Sequence, residues 1–204
     1  MQKRLIAFGC SYTYGQGLSD LDYDTYNQRI VGGPSKLAWP NLLATELGIP
    51  NVLNLSRPGS SNKEILKTVL DFDFKYGDTV CFLWSYSDRW CIYKENQNLL
   101  IGPWKTDKSS LEYYKRIYNE YDSKIDTYIR MNFANEFLKK KNIKNFHALV
   151  LKEDKLDIEW NSVRLLDCDF RDLRNRYITK CFHLSEEGHK IFSKEYLKHI
   201  LKDK

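Results

Sequence analysis

No segment of this sequence approaches the ~20 consecutive apolar residues that a membrane-spanning helix needs. The one apolar run near the start, Leu5-Ile6-Ala7-Phe8, is too short for the apolar region of a secretory leader and stops at Gly9. Cysteine is scarce and odd in number: Cys10, Cys81, Cys91, Cys168 and Cys181 stand at irregular spacings with no C-x-x-C pair. That suits the reduced thiols of a cytoplasmic protein better than a disulfide framework. The four His and five Cys show no metal-ligand spacing, so neither a metal nor a cofactor is expected. Gly15-Gln16-Gly17 lacks the Gly-Lys-Ser/Thr ending of a P-loop, and Asp20 stands where a dinucleotide fingerprint needs its last glycine. Internal repeats, linkers and low-complexity stretches are also missing.

What is present is enough for one folded domain over residues 1–204, with 42% hydrophobic and 14% aromatic residues. The net charge of +5 gathers in short lysine patches such as Lys139-Lys140-Lys141. Such patches complement a helix C-terminus. Phosphate would also attract them, but the solvated helix end is the commoner case and argues against a nucleic-acid partner. Oligomeric state leaves no mark in the sequence.

Hydrophobic patterning predicts a buried first strand over Leu5 to Phe8, followed by a loop-like stretch (residues 10–36) long enough to be functional or to hide a short helix. A helix over Leu37 to Leu47 ends at Gly48 and Pro50. A strand at Val52 to Leu55, a helix from Asn62 to Phe72 and a central strand from Thr79 to Trp84 follow. Residues 85–108 read as an irregular insert bearing Trp90 and Trp104. A long helical stretch, with room for a break, runs from about Ser109 to Lys141. Phe146 to Leu151 is another strand, Val163 to Leu166 a candidate short one, and residues 152–182 are the least legible. The closing helix starts near Ser185, with Phe192, Tyr196 and Ile200 on one face. Alternation of strands and helices predicts an α/β fold with a mostly parallel sheet.

Three motifs can carry chemistry. Phe8-Gly9-Cys10-Ser11-Tyr12-Thr13-Tyr14-Gly15 directly follows the first strand. A Ser on such a turn is exposed at the carboxyl edge of the sheet, where ligands bind; the ordinary alternative is a glycine-rich strand-to-helix turn. His183 stands just before the last helix, within reach of that same edge. It could serve as the base a Ser hydroxyl needs, or act as a surface capping residue. His189, within the helix, more readily packs. In Asn54-Leu55-Ser56-Arg57-Pro58-Gly59-Ser60-Ser61-Asn62, Gly59 can offer a backbone N–H and Asn62 a side-chain amide, although Ser60, Ser61 and Asn62 are also good helix caps. Asp88-Arg89-Trp90, after the third strand, could meet a substrate or form a surface ion pair.

The order of these motifs resembles the SGNH, or GDSL-like, hydrolase superfamily. The stretch around Ser11 resembles its first block, with Cys10 in place of the family Asp, as in a sub-branch with GCS for GDS. Gly59 matches the second block, and His183-Leu184-Ser185-x-x-Gly188-His189 the end of the fifth. The resemblance spans residues 5–201. It implies a three-layer, flavodoxin-like sandwich and a cofactor-independent serine esterase or deacetylase acting through an acyl-enzyme on Ser11. A small-molecule or carbohydrate O-acetyl ester would be its substrate. His183 would be the base; the N–H groups of Ser11 and Gly59, with an Asn amide for which Asn62 is the candidate, would form the oxyanion hole. A catalytically degenerate binding protein and an O-acyltransferase are the other readings. Two departures bear on these. The third-block Asn is missing, since Ser85-Tyr86-Ser87-Asp88-Arg89 follows the third strand. The fifth-block Asp, three residues before the His, is Lys180. His183 would then be oriented by Asp167, Asp169 or Asp172, or by a backbone carbonyl. A Cys10 nucleophile is disfavoured because its side chain should face the core.

Overall fold

The computed structural model describes residues 3–24, 29–95 and 98–202. The chain runs β1 (Arg4–Phe8), α1 (Ser11–Tyr14), β2 (Asp22–Asp24), β3 (Arg29–Val31), α2 (Trp39–Glu46), β4 (Asn51–Asn54), α3 (Asn62–Asp71) and β5 (Thr79–Trp84). It continues with β6 (Trp90–Ile92), β7 (Leu99–Ile101), α4 (Lys108–Arg116), α5 (Glu120–Lys140), β8 (Lys144–Leu149), α6 (Phe170–Arg176) and α7 (Glu186–Leu201). Four parallel strands form the central sheet in the order β4-β1-β5-β8.

The strands are apolar on both faces because both faces are covered. Side chains alternate across a strand, so Leu5, Ala7, Cys81 and Leu83 enter one core, while Ile6, Phe8, Val80, Phe82 and Trp84 enter the other. The first core is closed by Trp39 and Leu43 of α2, Phe170 of α6, and Phe192, Tyr196 and Ile200 of α7. The second is closed by Ile65 and Val69 of α3 and Met131, Ala134 and Leu138 of α5. The result is a three-layer α/β sandwich. In the second core Phe8 stacks on Phe82 at 5.4 Å and Phe82 on Trp84 at 5.0 Å between ring centroids. Each such ring, fully buried, contributes roughly 1.5–3 kcal/mol relative to exposure.

Tyr196 ties α7 to the sheet. Its hydroxyl accepts the Phe82 N–H at 3.0 Å and donates to the Phe146 carbonyl at 2.7 Å. His189 packs, as the sequence suggests: it is buried, and its Nδ1 accepts the Trp39 N–H at 3.1 Å. Cys10 lies fully buried in the first core.

The differences from the sequence reading are local. The stretch after β1 contains the short helix α1 and the β2–β3 hairpin. The insert is a second hairpin, β6–β7. The break for which the long helical stretch left room falls at residues 117–119, where the Asn119 side chain caps α5 by accepting the Asp122 N–H. Val163 to Leu166 contributes only an isolated bridge, Leu165 beside His147. Among the described residues no helix is long and apolar enough to cross a membrane.

Candidate active site

The strand order fixes where a site can form. From β1 the chain winds first to β4 on one side, then to β5 and β8 on the other. Where winding reverses, the connections diverge and leave a crevice outside the carboxyl ends of the strands. Ser11 follows β1, and Ser85 to Arg89 follow β5; Ser11 is buried, not exposed as its place on the turn led one to expect.

Gly9 lets the chain turn there. A β-carbon at this position would lie 2.1 Å from Thr13 Oγ1 and 2.9 Å from the Leu83 carbonyl oxygen, so any larger residue would displace backbone. Cys10, the residue before α1, offers no side-chain cap, and the Ser11 N–H has no hydrogen-bond partner among the described residues. The loop after β4 runs beside this turn. Leu55 N–H donates to the Ala7 carbonyl at 2.9 Å, Arg57 N–H to the Gly9 carbonyl at 3.4 Å, and the Asn54 amide to the Thr13 carbonyl at 2.7 Å. Gly59 sits in this loop at φ 80°. The β6–β7 insert closes over it: a β-carbon there would be 3.1 Å from Leu100 and 3.8 Å from Trp104. The aromatic insert is thus a wall packed on the domain.

Asn62 is engaged elsewhere. Its side-chain nitrogen donates to the Ser85 carbonyl at 3.1 Å and to Thr127 Oγ1 at 3.0 Å, and its oxygen accepts the Ser85 N–H at 2.7 Å. An amide has two N–H donors, and both are used to lock the end of β5 between α3 and α5. The residue assigned to the oxyanion hole from sequence therefore holds the β5 exit in place and has no donor left for a ligand.

His183 sits in a tight reverse loop. Thr179 N–H donates to the His183 carbonyl at 2.7 Å, and Thr179 Oγ1 accepts the His183 N–H at 3.1 Å. Ser185 N–H reaches the Tyr177 carbonyl at 2.7 Å. Gly17 makes the loop's close approach possible, since a β-carbon there would meet Cys181 Sγ at 2.3 Å. The imidazole lies 5.2 Å from the ring of Tyr12, the neighbour of Ser11. His183 Nδ1 is 2.9 Å from the Cys181 carbonyl oxygen. A carbonyl only accepts, so Nδ1 carries the proton and Nε2 the lone pair. Among the described residues no carboxylate holds this histidine. Asp169 caps α6, Asp172 pairs with Arg176, and Asp167 lies 3.8 Å from Lys152. Burial pushes the His183 pKa below its ordinary value, the positive charges of Arg89 and Arg174 push the same way, and the Cys181 carbonyl opposes them.

Arg89 is where the sequence reading was least specific. The surface ion pair it allowed is not formed. Arg89 Nη1 donates to Ser85 Oγ at 3.1 Å, and its guanidinium lies 4.7 Å from the Tyr86 ring centroid and 4.6 Å from that of Trp104. Asp88 Oδ1 is buried without a hydrogen-bond partner, and burial raises its pKa. The position of Arg89 at a strand's carboxyl end was the only signal in the sequence. Arg174, in the least legible stretch, gave none.

No family model matches the sequence, and no curated protein sequence matches it. Solved structures do. A GDSL-like lipase from Bacteroides thetaiotaomicron aligns over 98% of this chain and 88% of its own at 11% identity, TM-score 0.52. An acetyl xylan esterase, AlAXEase, aligns over 97% of this chain and 99% of its own at 12% identity, TM-score 0.54. A variant of an acetyl xylan esterase from Geobacillus stearothermophilus aligns over 97% and 94% at 14% identity, TM-score 0.50. With the four-stranded parallel sheet, the two helical layers and the Ser11 turn at the sheet's carboxyl edge, these likenesses show that the chain has the fold of the SGNH, GDSL-like hydrolases.

Proposed function

We propose that the protein is a serine esterase or deacetylase that cleaves a small-molecule or carbohydrate ester through an acyl-enzyme on Ser11. The observation that carries this reading is the placement of His183. The imidazole stands against Tyr12, the chain neighbour of Ser11, and its Nδ1 lies 2.9 Å from the Cys181 carbonyl oxygen, an arrangement that leaves the lone pair to Nε2. A serine hydroxyl needs such a base. In this reaction Ser11 Oγ attacks the ester carbonyl as its proton passes to His183 Nε2. The alkoxide that forms is stabilised by the Ser11 and Gly59 N–H groups. The proton then goes to the leaving alcohol, and water repeats the sequence to release the acid. The Cys181 carbonyl supplies orientation without negative charge, so the imidazolium formed in each half-reaction is less stabilised than beside a carboxylate. The acetyl xylan esterases among the structural neighbours support an O-acetyl substrate. An O-acyltransferase is the same chemistry with another acceptor in place of water.

Two observations favour a second reading, a binding protein that has kept the fold without turnover: Asn62 is fully engaged, and among the described residues no carboxylate holds His183. Hydrolysis of 4-nitrophenyl acetate by the wild type, Ser11→Ala and His183→Ala, with fluorophosphonate labelling in parallel, separates the two. Turnover and labelling by the wild type alone support the esterase. A wild type no faster than its variants, with no probe attached, overturns it.

A further inference from the structure

Arg4, Arg116, Arg130, Arg171 and Arg176 each hold a carboxylate. Arg89 and Arg174, the two arginines whose charge reaches His183, hold none among the described residues. They stand at the two ends of a tyrosine pair. Arg174 Nη1 donates to the Tyr12 hydroxyl at 3.4 Å, the Tyr12 and Tyr86 hydroxyls are 2.9 Å apart, and the Tyr86 ring lies under Arg89. Arg89 is fixed between the Tyr86 and Trp104 rings by stacking and by Ser85 Oγ, and its Nε is buried with no hydrogen-bond partner. Both guanidiniums are half-buried, so water screens them less than it would on an open surface. Two cations without a carboxylate in ion-pair contact among the described residues, beside a base that must itself become positive, disfavour the reaction with a neutral substrate. A negative substrate group would remove that penalty.

We propose that the site is built for an anionic ester, one bearing a carboxylate or an equivalent oxyanion group close to the scissile bond, with Arg89 and Arg174 as its specificity-determining residues. Arg174 directs Nε and Nη2 at the neutral side-chain oxygen of Asn175, a pair of donors that a carboxylate or equivalent oxyanion would match better. This rests on the site identified above but not on its turnover. The anion can belong to the acyl part or to the alcohol part, and the test has an arm for each.

For the acyl arm, 4-nitrophenyl hemisuccinate is compared with 4-nitrophenyl methyl succinate. For the alcohol arm, 4-acetoxybenzoate is compared with its methyl ester. In at least one arm the wild type should favour the anion by tenfold or more in kcat/KM at low salt. Arg174→Gln and Arg89→Gln should each cut that preference at least tenfold, with a urea midpoint confirming that each variant is folded. Arg174→Gln, half-exposed on α6, leaves no core cavity. The same ester pairs are titrated against Ser11→Ala, where affinity is read without chemistry. Tighter binding of the anion there, lost on adding Arg174→Gln, supports the proposal even if the wild type turns nothing over; in that case the esterase reading fails and the anion site stands. Equal handling of anion and neutral ester within twofold in both arms, in turnover and in Ser11→Ala binding, overturns it.

Discussion

Asn62→Ala separates two roles for one side chain. The substitution removes three hydrogen bonds, to Ser85 N–H, Ser85 carbonyl and Thr127 Oγ1, all buried. Thr127 keeps its bond to the Ser123 carbonyl at 3.0 Å, so its loss is small. The Ser85 N–H and carbonyl are left without partners beneath a packed layer. A buried backbone group stripped of its partner costs about 1–3 kcal/mol, which puts the two together at about 2–6 kcal/mol of folding stability. An oxyanion donor would behave otherwise, its loss lowering kcat by about 10²–10³ with little change in the fold. The assay is a urea unfolding curve of wild type and Asn62→Ala, with the rate of fluorophosphonate attachment to Ser11 measured well below the unfolding midpoint. A midpoint shift of that size is expected. Stability unchanged within about 0.5 kcal/mol, together with a hundredfold fall in labelling, would refute the positioning role and return Asn62 to the oxyanion.

Because burial and then Arg89 and Arg174 hold the His183 pKa below 6.5, and the neutral imidazole is the base, the acid limb of kcat/KM should lie below pH 6.5. Removing the Arg174 cation should move it to higher pH; a limb that stays put in Arg174→Gln contradicts the Coulomb contribution. His147 and His189 are buried and held neutral, each with its pKa lowered by burial from 6.5 to about 3. Their folded pKa values are depressed, so their share of stability is intact above pH 6.5 and is lost as pH falls toward 3, at about 1.4 kcal/mol per unit for each. The urea midpoint should drop steeply between pH 6.5 and 5, and a flat midpoint there would show that these histidines are not kept neutral by the fold. Tyr196→Phe strips the Phe82 N–H and the Phe146 carbonyl of a partner and should cost about 1–3 kcal/mol in the same unfolding measurement. Gly17→Ala sets a β-carbon against Cys181 Sγ at φ 90°; displacing the His183 loop should slow Ser11 labelling at least tenfold while far-ultraviolet circular dichroism stays native.

The central elements were legible because their residues have one use. Leu5 to Phe8 and Val80 to Trp84 are apolar at every position, as suits a strand covered on both faces. Phe192, Tyr196 and Ile200 can share a core only on a helix. The two hairpins were not legible, because their three-residue strands are too short to show a period. Lys139-Lys140-Lys141 lies at the end of α5, as the solvated helix end required.

By itself, the sequence determined the layers, the parallel sheet, and the placing of Ser11 and His183 at the ends of elements that converge on one edge. These follow from local period and connection length. Only the tertiary structure decided what holds each group. The hydrogen bond between Asn62 and Ser85 depends on distances of a few ångströms between elements separated in the chain, and the one between Nδ1 of His183 and the carbonyl two residues back depends on how the surrounding fold bends its loop. Composition and spacing do not carry that information. The same holds for Arg89 and Arg174, which lie 85 positions apart in the sequence and meet at one tyrosine pair because the sheet's winding reverses between β1 and β5.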